Sequence, residues 1–236
     1  MNWRPRASAG RQARDAIDAR PTAVDDLYAD WAPRYLAEAH NPLMAAEQKA
    51  VLELLPPIEG RRVLDAGCGT GRYARLLVTR GPRSIVAIDR SAAMLAHAWE
   101  CGAAYVLGDI RALPLADASV EVIVSGLLLP DVEDLGLVVR EWARVLAPGG
   151  TVVSSTLHSI GAELGWTRTF DTPHGTKSLP AHWHTADAFR GVCAAAGLTT
   201  DAVLEPTLHP SQLSENRGVS PRVPVALVFR ATRPGP

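Results

Sequence analysis

The stretch Val63-Leu64-Asp65-Ala66-Gly67-Cys68-Gly69-Thr70-Gly71 decides the fold of this chain. It begins as a buried apolar strand, and its G-x-G-x-G turn opens a helix. Such a turn lets a ligand approach the backbone closely and places the N–H groups of the helix start beside it. A carboxylate at Asp65, two residues before the first glycine, would repel the pyrophosphate of a dinucleotide. The turn therefore favours a nucleoside ligand that has a cationic group and no phosphate.

Strands and helices are predicted to alternate on both sides of this turn, because apolar runs and helical spacings follow one another. Strands are predicted at Arg62–Asp65, Ser84–Asp89, Ala104–Leu107, Val120–Ser125 and Thr151–Thr156, and near 202–206 and 223–231. Helices are predicted within 25–55, where Leu27, Trp31 and Tyr35 recur at helical spacing, after the glycine turn, after Ser91, at about 132–146 and at 185–196. Ser91 and Thr185 are the predicted N-caps, and a loop is predicted over 211–224. Five strand–helix alternations predict a doubly wound parallel sheet of the α/β class.

The run from Asp65 to Gly71 resembles motif I of the class I S-adenosylmethionine-dependent methyltransferases, of the small type 11 group. Leu113-Pro114-Leu115 and the segment 117–121 are similar to later motifs of that family, although Glu121 stands where the usual form has an aspartate. The resemblance covers roughly residues 25–200. It implies a Rossmann-like, seven-stranded, mostly parallel sheet with an antiparallel last strand, and S-adenosylmethionine as the cofactor of a methyltransferase.

The resemblance also assigns roles at the carboxyl ends of the strands, where open α/β sheets bind their ligands. Asp89 would accept both ribose hydroxyls, Asp109 would accept from the adenine amino group, and Asp65 would help to orient the ammonium group. Tyr28 and Tyr35 join them, because an N-terminal helix closes over the cofactor in related enzymes; simple helix packing is the alternative. The other predicted cofactor-binding residues are Ala66, Gly67, Cys68, Gly69, Gly71, Arg90, Met94, Gly108, Ile110 and Ser125.

The sequence indicates less clearly which residues bind the methyl acceptor. His158 follows the fifth predicted strand and is the candidate general base if the acceptor is a hydroxyl; a structural histidine is the alternative. The segment 157–184 is dense in aromatic and imidazole groups, which predicts a lid over the substrate. No metal is predicted, because the histidines of this segment lack a completing carboxylate. The residues predicted to bind the substrate are His40, Leu128, His158, Trp166, His182 and His184.

The composition indicates which cellular compartment and which classes of partner to expect. A net charge of −1 over 236 residues offers no general attraction to nucleic acid or to an anionic membrane. The three cysteines form no C-x-x-C pair, which favours reduced thiols in a cytoplasm, and no apolar run is long enough to span a bilayer.

The chain is predicted to form one domain. A flexible arginine-rich tail over 1–24 would precede a methyltransferase domain over 25–236, with a helical cap at 25–56 and the lid at 157–184. The helices rich in Ala and Leu could supply an apolar interface, so a homodimer is a further prediction.

The leading functional prediction is methyl transfer to a small-molecule acceptor in specialised metabolism. Leu128-Leu129-Pro130 stands where enzymes that methylate amide or base nitrogens often carry N-P-P-[YF], which argues against such substrates. An alternative is the malonyl-carrier-protein O-methyltransferase of biotin synthesis, since the run 108–115 is similar to that family. A binding module without catalysis is a further alternative, but it would be expected to lose Asp65 or Asp89. A nicotinamide-dependent dehydrogenase is disfavoured because G-x-G-x-x-G is missing.

Overall fold

The computed structural model describes residues 23–209 and 222–235. Nearly all of the predicted tail over 1–24 and most of the predicted loop over 211–224 lie outside these residues. Helices α1 to α7 of the described part span Ala23–Trp31, Pro42–Leu54, Arg72–Val78, Ala92–Ala96, Leu135–Val145, Ile160–Glu163 and Ala186–Ala195. Strands β1 to β11 span Arg62–Ala66, Ser84–Asp89, Ala104–Leu107, Val120–Ser125, Leu146–Leu157, Arg168–Thr172, Gly175–Leu179, Thr199–Leu204, Thr207–Leu208, Val223–Pro224 and Ala226–Thr232.

The main sheet has seven strands in the order β3-β2-β1-β4-β5-β11-β8. The pairs from β3 to β5 are parallel, whereas β11 runs antiparallel to both of its neighbours. The predicted Rossmann-like sheet with an antiparallel last strand is therefore confirmed. The strand order reverses between β1 and β4, and such a switch point opens a crevice beyond the carboxyl ends of the strands.

Apolar side chains on both faces of the sheet explain why its central strands read as continuous apolar runs. On β4, Ile123 packs in a core with Trp142 of α5. Its neighbour Val122 packs in the opposite core with Leu77 of α3. Because helices cover both faces, the strands need no polar side, as is usual for parallel sheets.

Helix starts follow the capping rules that the sequence suggested. The Ser91 hydroxyl accepts a hydrogen bond from the Met94 N–H at 3.2 Å, and the Thr185 hydroxyl accepts from the Ala188 N–H at 3.2 Å. Asn41 caps α2 in the same way. These contacts satisfy N–H groups that a helix start leaves without partners.

The N-terminal helices differ from the prediction at Tyr35. The helical spacing of Leu27, Trp31 and Tyr35 places them on one helix, but α1 ends at Trp31 and a short 3₁₀ helix follows at Ala32–Arg34. Pro33 within that turn lacks an N–H group and disfavours a helical residue before it, so the chain leaves the α-helix there. Tyr35 adopts an extended conformation after the turn.

The predicted lid contains a β-hairpin that packs against the N-terminal helix. Strands β6 and β7 pair antiparallel within the segment 157–184. The ring of Phe170 stacks on Trp31 of α1 with a centroid distance of 4.9 Å, and Lys177 forms an ion pair with Asp30. The hairpin and α1 therefore form one continuous cover, which we call the cap.

No helix among residues 23–209 and 222–235 has both the length and the apolar character that a membrane span requires. The structure contains one protomer, and the homodimer stays a prediction.

Candidate functional site

A cavity of about 430 Å³ opens at the carboxyl ends of β1, β2 and β4, at the switch point of the sheet. Its volume is within the range of small-molecule sites, roughly 300–1,000 Å³. The predicted cofactor-binding residues that line it are Tyr28, Tyr35, Asp65, Gly67, Cys68, Gly69, Asp89, Arg90, Met94, Asp109 and Ile110. The structure thus brings together residues from the glycine turn, two further strand ends and the cap.

The predicted cofactor-binding residues that do not line the cavity are Ala66, Gly71, Gly108 and Ser125. Ala66 and Ser125 end β1 and β4, whereas Gly71 and Gly108 lie in the turns that follow β1 and β3. Gly71 has a φ of +86° at the start of α3, and a Cβ atom there would overlap the hydroxyl of Tyr105. Ser125 is fully buried within the sheet. Direct contact of these residues with the ligand stays a prediction.

The glycine turn is held against β2 in a conformation that few other residues could adopt. The N–H groups of Gly67 and Cys68 both donate to the Ile88 carbonyl, at 2.8 and 3.1 Å. Gly67 has a φ of +73°, and a Cβ atom there would lie 2.6 Å from Cδ1 of Leu128. The turn therefore exposes its backbone to the cavity only because glycine is present.

A buried carboxyl group, Asp65, and a partly buried one, Asp89, line the cavity. The Asp65 carboxyl accepts from the Ala74 N–H at 2.8 Å, and burial raises its pKa to about 7. The Asp89 carboxyl accepts from the N–H groups of Gly69 at 2.7 Å and Ser91 at 2.8 Å, and burial also raises its pKa. Each of these carboxyl groups keeps acceptor capacity for a ligand, because one carboxylate offers about four lone-pair directions.

Asp109, the acid that follows β3, forms an ion pair with Arg111. The Arg111 guanidinium donates to both oxygens of Asp109, at 2.5 Å to Oδ2 and 3.0 Å to Oδ1. Burial opposes the charge of Asp109, but the side-chain and backbone hydrogen bonds from Arg111 outweigh it and lower the pKa. Arg90 forms a similar pair with Asp25 of α1 at 2.8 Å, which links the cap to the end of β2.

Carboxyl groups outnumber cations around the cavity. The lining acids are Asp25, Asp65, Asp89, Asp109, Asp131, Glu133 and Asp134, and the lining arginines are Arg72, Arg90 and Arg111. Each of these arginines is engaged by an acid. This excess of carboxyl groups suits a ligand with positive charge and no phosphate, which fits the sulfonium and ammonium groups of S-adenosylmethionine.

A partly buried polar triad joins the cap to the rim of the cavity. The Tyr28 hydroxyl donates to Asp131 Oδ2 at 2.6 Å, and Arg168 donates to Asp131 Oδ1 at 2.7 Å and to the Tyr28 hydroxyl at 2.9 Å. Burial and the neighbouring Asp131 carboxylate raise the pKa of Tyr28. The sequence indicated Tyr28, but it contains no motif that pairs Asp131 with Arg168, which are 37 residues apart.

Two of the predicted substrate-binding residues line the cavity, namely Leu128 and His182. Leu128 packs over Gly67, while the backbone N–H of His182 donates to the Pro130 carbonyl at 2.8 Å. Both residues lie near the loop that follows β4, at one edge of the cavity.

The remaining predicted substrate-binding residues are His40, His158, Trp166 and His184, and none of them lines the cavity. The Nδ1 atom of His158 accepts from the Ile160 N–H at 3.1 Å, and its Nε2 atom lies 3.8 Å from Glu205. The Nε2 atom of His184 lies 2.7 Å from the Val132 carbonyl oxygen. Loop backbone or Glu205 thus engages the nitrogens of both rings, outside the cavity lining.

Trp166 and His40 also lie elsewhere. The indole of Trp166 packs against Gly161 of α6, where a Cβ atom would come within 2.6 Å of it. The imidazole of His40 is exposed and lies near the Glu38 carbonyl oxygen at 3.2 Å. Within the described residues, no cluster of three or more His, Cys, Asp or Glu is arranged to hold a metal ion.

Comparison with known proteins identifies the family. Residues 64–154 match the sequence model of the methyltransferase domain family, and this range contains the glycine turn, Asp89 and Asp109. Residues 64–154 form a methyltransferase domain of the class I S-adenosylmethionine-dependent type. A solved structure of an S-adenosylmethionine-dependent methyltransferase from Mesorhizobium loti is 26% identical, with a TM-score of 0.64, and the alignment covers 80% of this chain and 98% of that one. The cofactor of this family is S-adenosylmethionine, as predicted.

Two curated relatives have a more specific name. A malonyl-[acyl-carrier protein] O-methyltransferase of Pectobacterium atrosepticum is 38% identical over 143 residues, which is 58% of this chain and 56% of that protein. A protein of the same name from Enterobacter lignolyticus is 36% identical over 162 residues, which is 66% of this chain and 63% of that protein. The chain therefore spans less than two thirds of the length of either relative.

Proposed function

We propose that this chain transfers a methyl group from S-adenosylmethionine to the free carboxylate of a malonyl group carried as a thioester on a carrier protein. The observation that carries this proposal is the similarity, over more than half of the chain, to proteins named malonyl-[acyl-carrier protein] O-methyltransferase. These relatives support the alternative from the sequence analysis better than they support specialised metabolism. The acceptor is then a protein-bound group rather than a free small molecule.

The residues that line the cavity fit the cofactor by their charge and by their hydrogen-bonding groups. Asp89 would accept the ribose hydroxyls, and its orientation is fixed by the N–H groups of Gly69 and Ser91. Asp109 would accept from the adenine amino group, and Met94 and Ile110, which line the cavity, would cover the base. The cofactor supplies an electrophilic methyl group on a sulfonium.

A carboxylate acceptor changes what the protein has to do. A malonyl carboxyl group is ionised at neutral pH and is already a nucleophile, so its methylation needs no general base. The work of the chain is then to align the acceptor and to exclude water. The cap covers the cavity through α1, and Leu128 and His182 lie on the acceptor side. The proposal therefore gives no chemical role to His158.

The proposal is tested by offering acceptors that differ only in the acyl group. The full chain is incubated with S-adenosylmethionine and with malonyl- or acetyl-carrier protein, and the mass of each carrier is measured. Addition of one methyl group to the malonyl form alone is expected, because the acetyl form has no free carboxyl group. Asp89→Asn should suppress the reaction, whereas Asp201→Asn, at an exposed ion pair on β8 outside the cavity lining, serves as the matched control.

Two results would contradict the proposal at different levels. Methylation of phenols or amines in preference to the malonyl thioester would overturn the acceptor but keep the methyltransferase. Failure of the folded chain to bind either S-adenosylmethionine or S-adenosylhomocysteine in a calorimetric titration would overturn the activity and favour a module without catalysis.

A further inference from the structure

The first residue of α3, Arg72, is a buried cation that lines the cavity directly after the glycine turn. Its side chain is 6% exposed, and its Nη1 atom donates to Glu47 Oε2 at 2.8 Å. Its guanidinium lies over the ring of Tyr73, 4.5 Å from the centroid. Within residues 23–209 and 222–235, no protein acceptor takes a hydrogen bond from Nε or Nη2. A buried guanidinium with donors to spare is costly unless a ligand accepts from them.

A fully buried carboxylate holds this cation in place. Glu47 Oε1 accepts from the Tyr73 hydroxyl at 2.8 Å and from the Ser155 hydroxyl at 2.5 Å, while Oε2 accepts from Arg72. Ser155 in turn accepts from the Leu127 N–H at 2.8 Å. The network therefore ties α2, α3, β5 and the loop after β4 together around one guanidinium.

Glu47 and Arg72 both occupy positions where packing and helix electrostatics favour other residue types. Met44, Glu47, Val51 and Leu54 recur at helical spacing and are all buried, so Glu47 occupies a core position of α2. Arg72 stands at a helix N-terminus, where the helix dipole favours acids over cations. A pair that is unfavourable on both counts indicates a role beyond stability.

The amino acid part of the cofactor has an ammonium group and a carboxylate on the same carbon atom. Asp65 is available for the ammonium group, but an acid-rich cavity repels the carboxylate unless a cation lies beside it. The other lining arginines, Arg90 and Arg111, are paired with Asp25 and Asp109 at the ends of β2 and β3. All three are ion-paired, but the side chains of Arg90 and Arg111 are 43% and 51% exposed, so water can solvate their donors. Arg72 differs from both because it is buried, with donors left over, next to the glycine turn and Asp65.

We propose that Arg72 binds the α-carboxylate of S-adenosylmethionine and that Glu47 is the positioning residue that orients it. This inference rests on the proposed function, since it assumes that S-adenosylmethionine enters the cavity. Asp65 and Arg72 then recognise the two ends of one zwitterion, seven residues apart across the glycine turn.

The inference is tested by calorimetric titration of the full chain with S-adenosylmethionine and with its decarboxylated form. The decarboxylated ligand has the higher net positive charge, so the acidic cavity alone would bind it at least as tightly. We expect it to bind about tenfold or more weakly, because the buried charged donors of Arg72 lose their acceptor. Arg72→Met should reduce the ratio of the two dissociation constants, decarboxylated ligand over S-adenosylmethionine, to near one, and Glu47→Gln should reduce it partly. Arg90→Gln, a change of the cavity arginine that pairs with Asp25, should preserve it.

Several outcomes would overturn the inference. Equal or tighter binding of the decarboxylated ligand by the unaltered chain would do so without any variant, which protects the test if Arg72→Met fails to fold. An Arg72→Met protein that binds both ligands more weakly by the same factor would reduce Arg72 to a structural role. If the Arg72→Met protein kept the ratio of the two dissociation constants but had a raised KM for the malonyl acceptor, Arg72 would be assigned to the acceptor carboxylate instead. Absence of any S-adenosylmethionine binding by the unaltered chain would instead overturn the proposed function.

Discussion

Binding of S-adenosylmethionine should tighten steeply as the pH rises, because burial brings the pKa of Asp65 to about 7. Burial raises the pKa of Asp65 from 3.8 to about 7; its hydrogen bond from the Ala74 N–H and the charge of Arg72 oppose the shift, and Asp89 adds to it. A cationic ligand beside Asp65 favours the carboxylate. The proton must therefore leave before or during binding, and acid works against the complex.

The size of the effect follows from the pKa of about 7. At pH 7.5 most Asp65 groups are ionised, whereas at pH 5.5 about one in thirty is, so the affinity should fall by roughly 25-fold between these values. Calorimetric titrations at several pH values measure this slope. Repeating the titration at pH 6 in two buffers that differ in ionisation enthalpy should show release of close to one proton per ligand bound.

Two controls identify the titrating group. The ligand 5′-methylthioadenosine lacks the amino acid part and is uncharged, so its affinity should change little over the same range. Asp65→Asn keeps an oxygen for the Ala74 N–H but removes the titration, so the pH profile should flatten. A flat profile for S-adenosylmethionine with the unaltered chain, or parallel profiles for both ligands, would refute the argument that Asp65 faces the cation.

Three further changes test the packing and the site. Gly126→Ala would place a methyl group against the ring of Tyr73 and should destabilise the fold by about 1–3 kcal/mol, which a melting curve would show; Gly191→Ala, with open space around it, is the control and should not. Asp89→Ala should weaken cofactor binding by roughly 10- to 100-fold with an unchanged circular dichroism spectrum, and tight binding would contradict the ribose contact. His158→Ala should leave turnover unchanged, since the ring lies outside the cavity lining, and a large loss of kcat would restore its catalytic role.

The strands could be predicted closely because their signals are local. Ser84–Asp89, Ala104–Leu107 and Val120–Ser125 were expected with the bounds that the structure has. Parallel strands that are buried on both faces read as apolar runs bounded by turns, so little tertiary information is needed. The N-terminal helix was predicted too long, because the spacing of aromatic residues continued through a turn that Pro33 imposes.

The two faces of the site were not equally predictable. The cofactor face depends on short motifs at strand ends, and Asp65, Asp89 and Asp109 all line the cavity. The acceptor face depends on where the segment after β5 folds back. His158 was placed there because it follows β5, but its ring is engaged by Ile160 and lies near Glu205. Distance along the chain from a strand end does not determine which side of a loop faces the crevice.

The sequence by itself determined the class of fold, the position of the crevice and the kind of ligand, because a glycine turn after a buried strand has one geometry and an acid beside it selects one charge. Only the tertiary structure decided which side chains complete the cavity. Glu47 with Arg72, and Asp131 with Arg168, are separated by 25 and 37 residues. They meet only when α2 packs against the sheet and the β6–β7 hairpin lies beside the loop after β4. Their pairing depends on the packing of distant elements, and no local pattern encodes it.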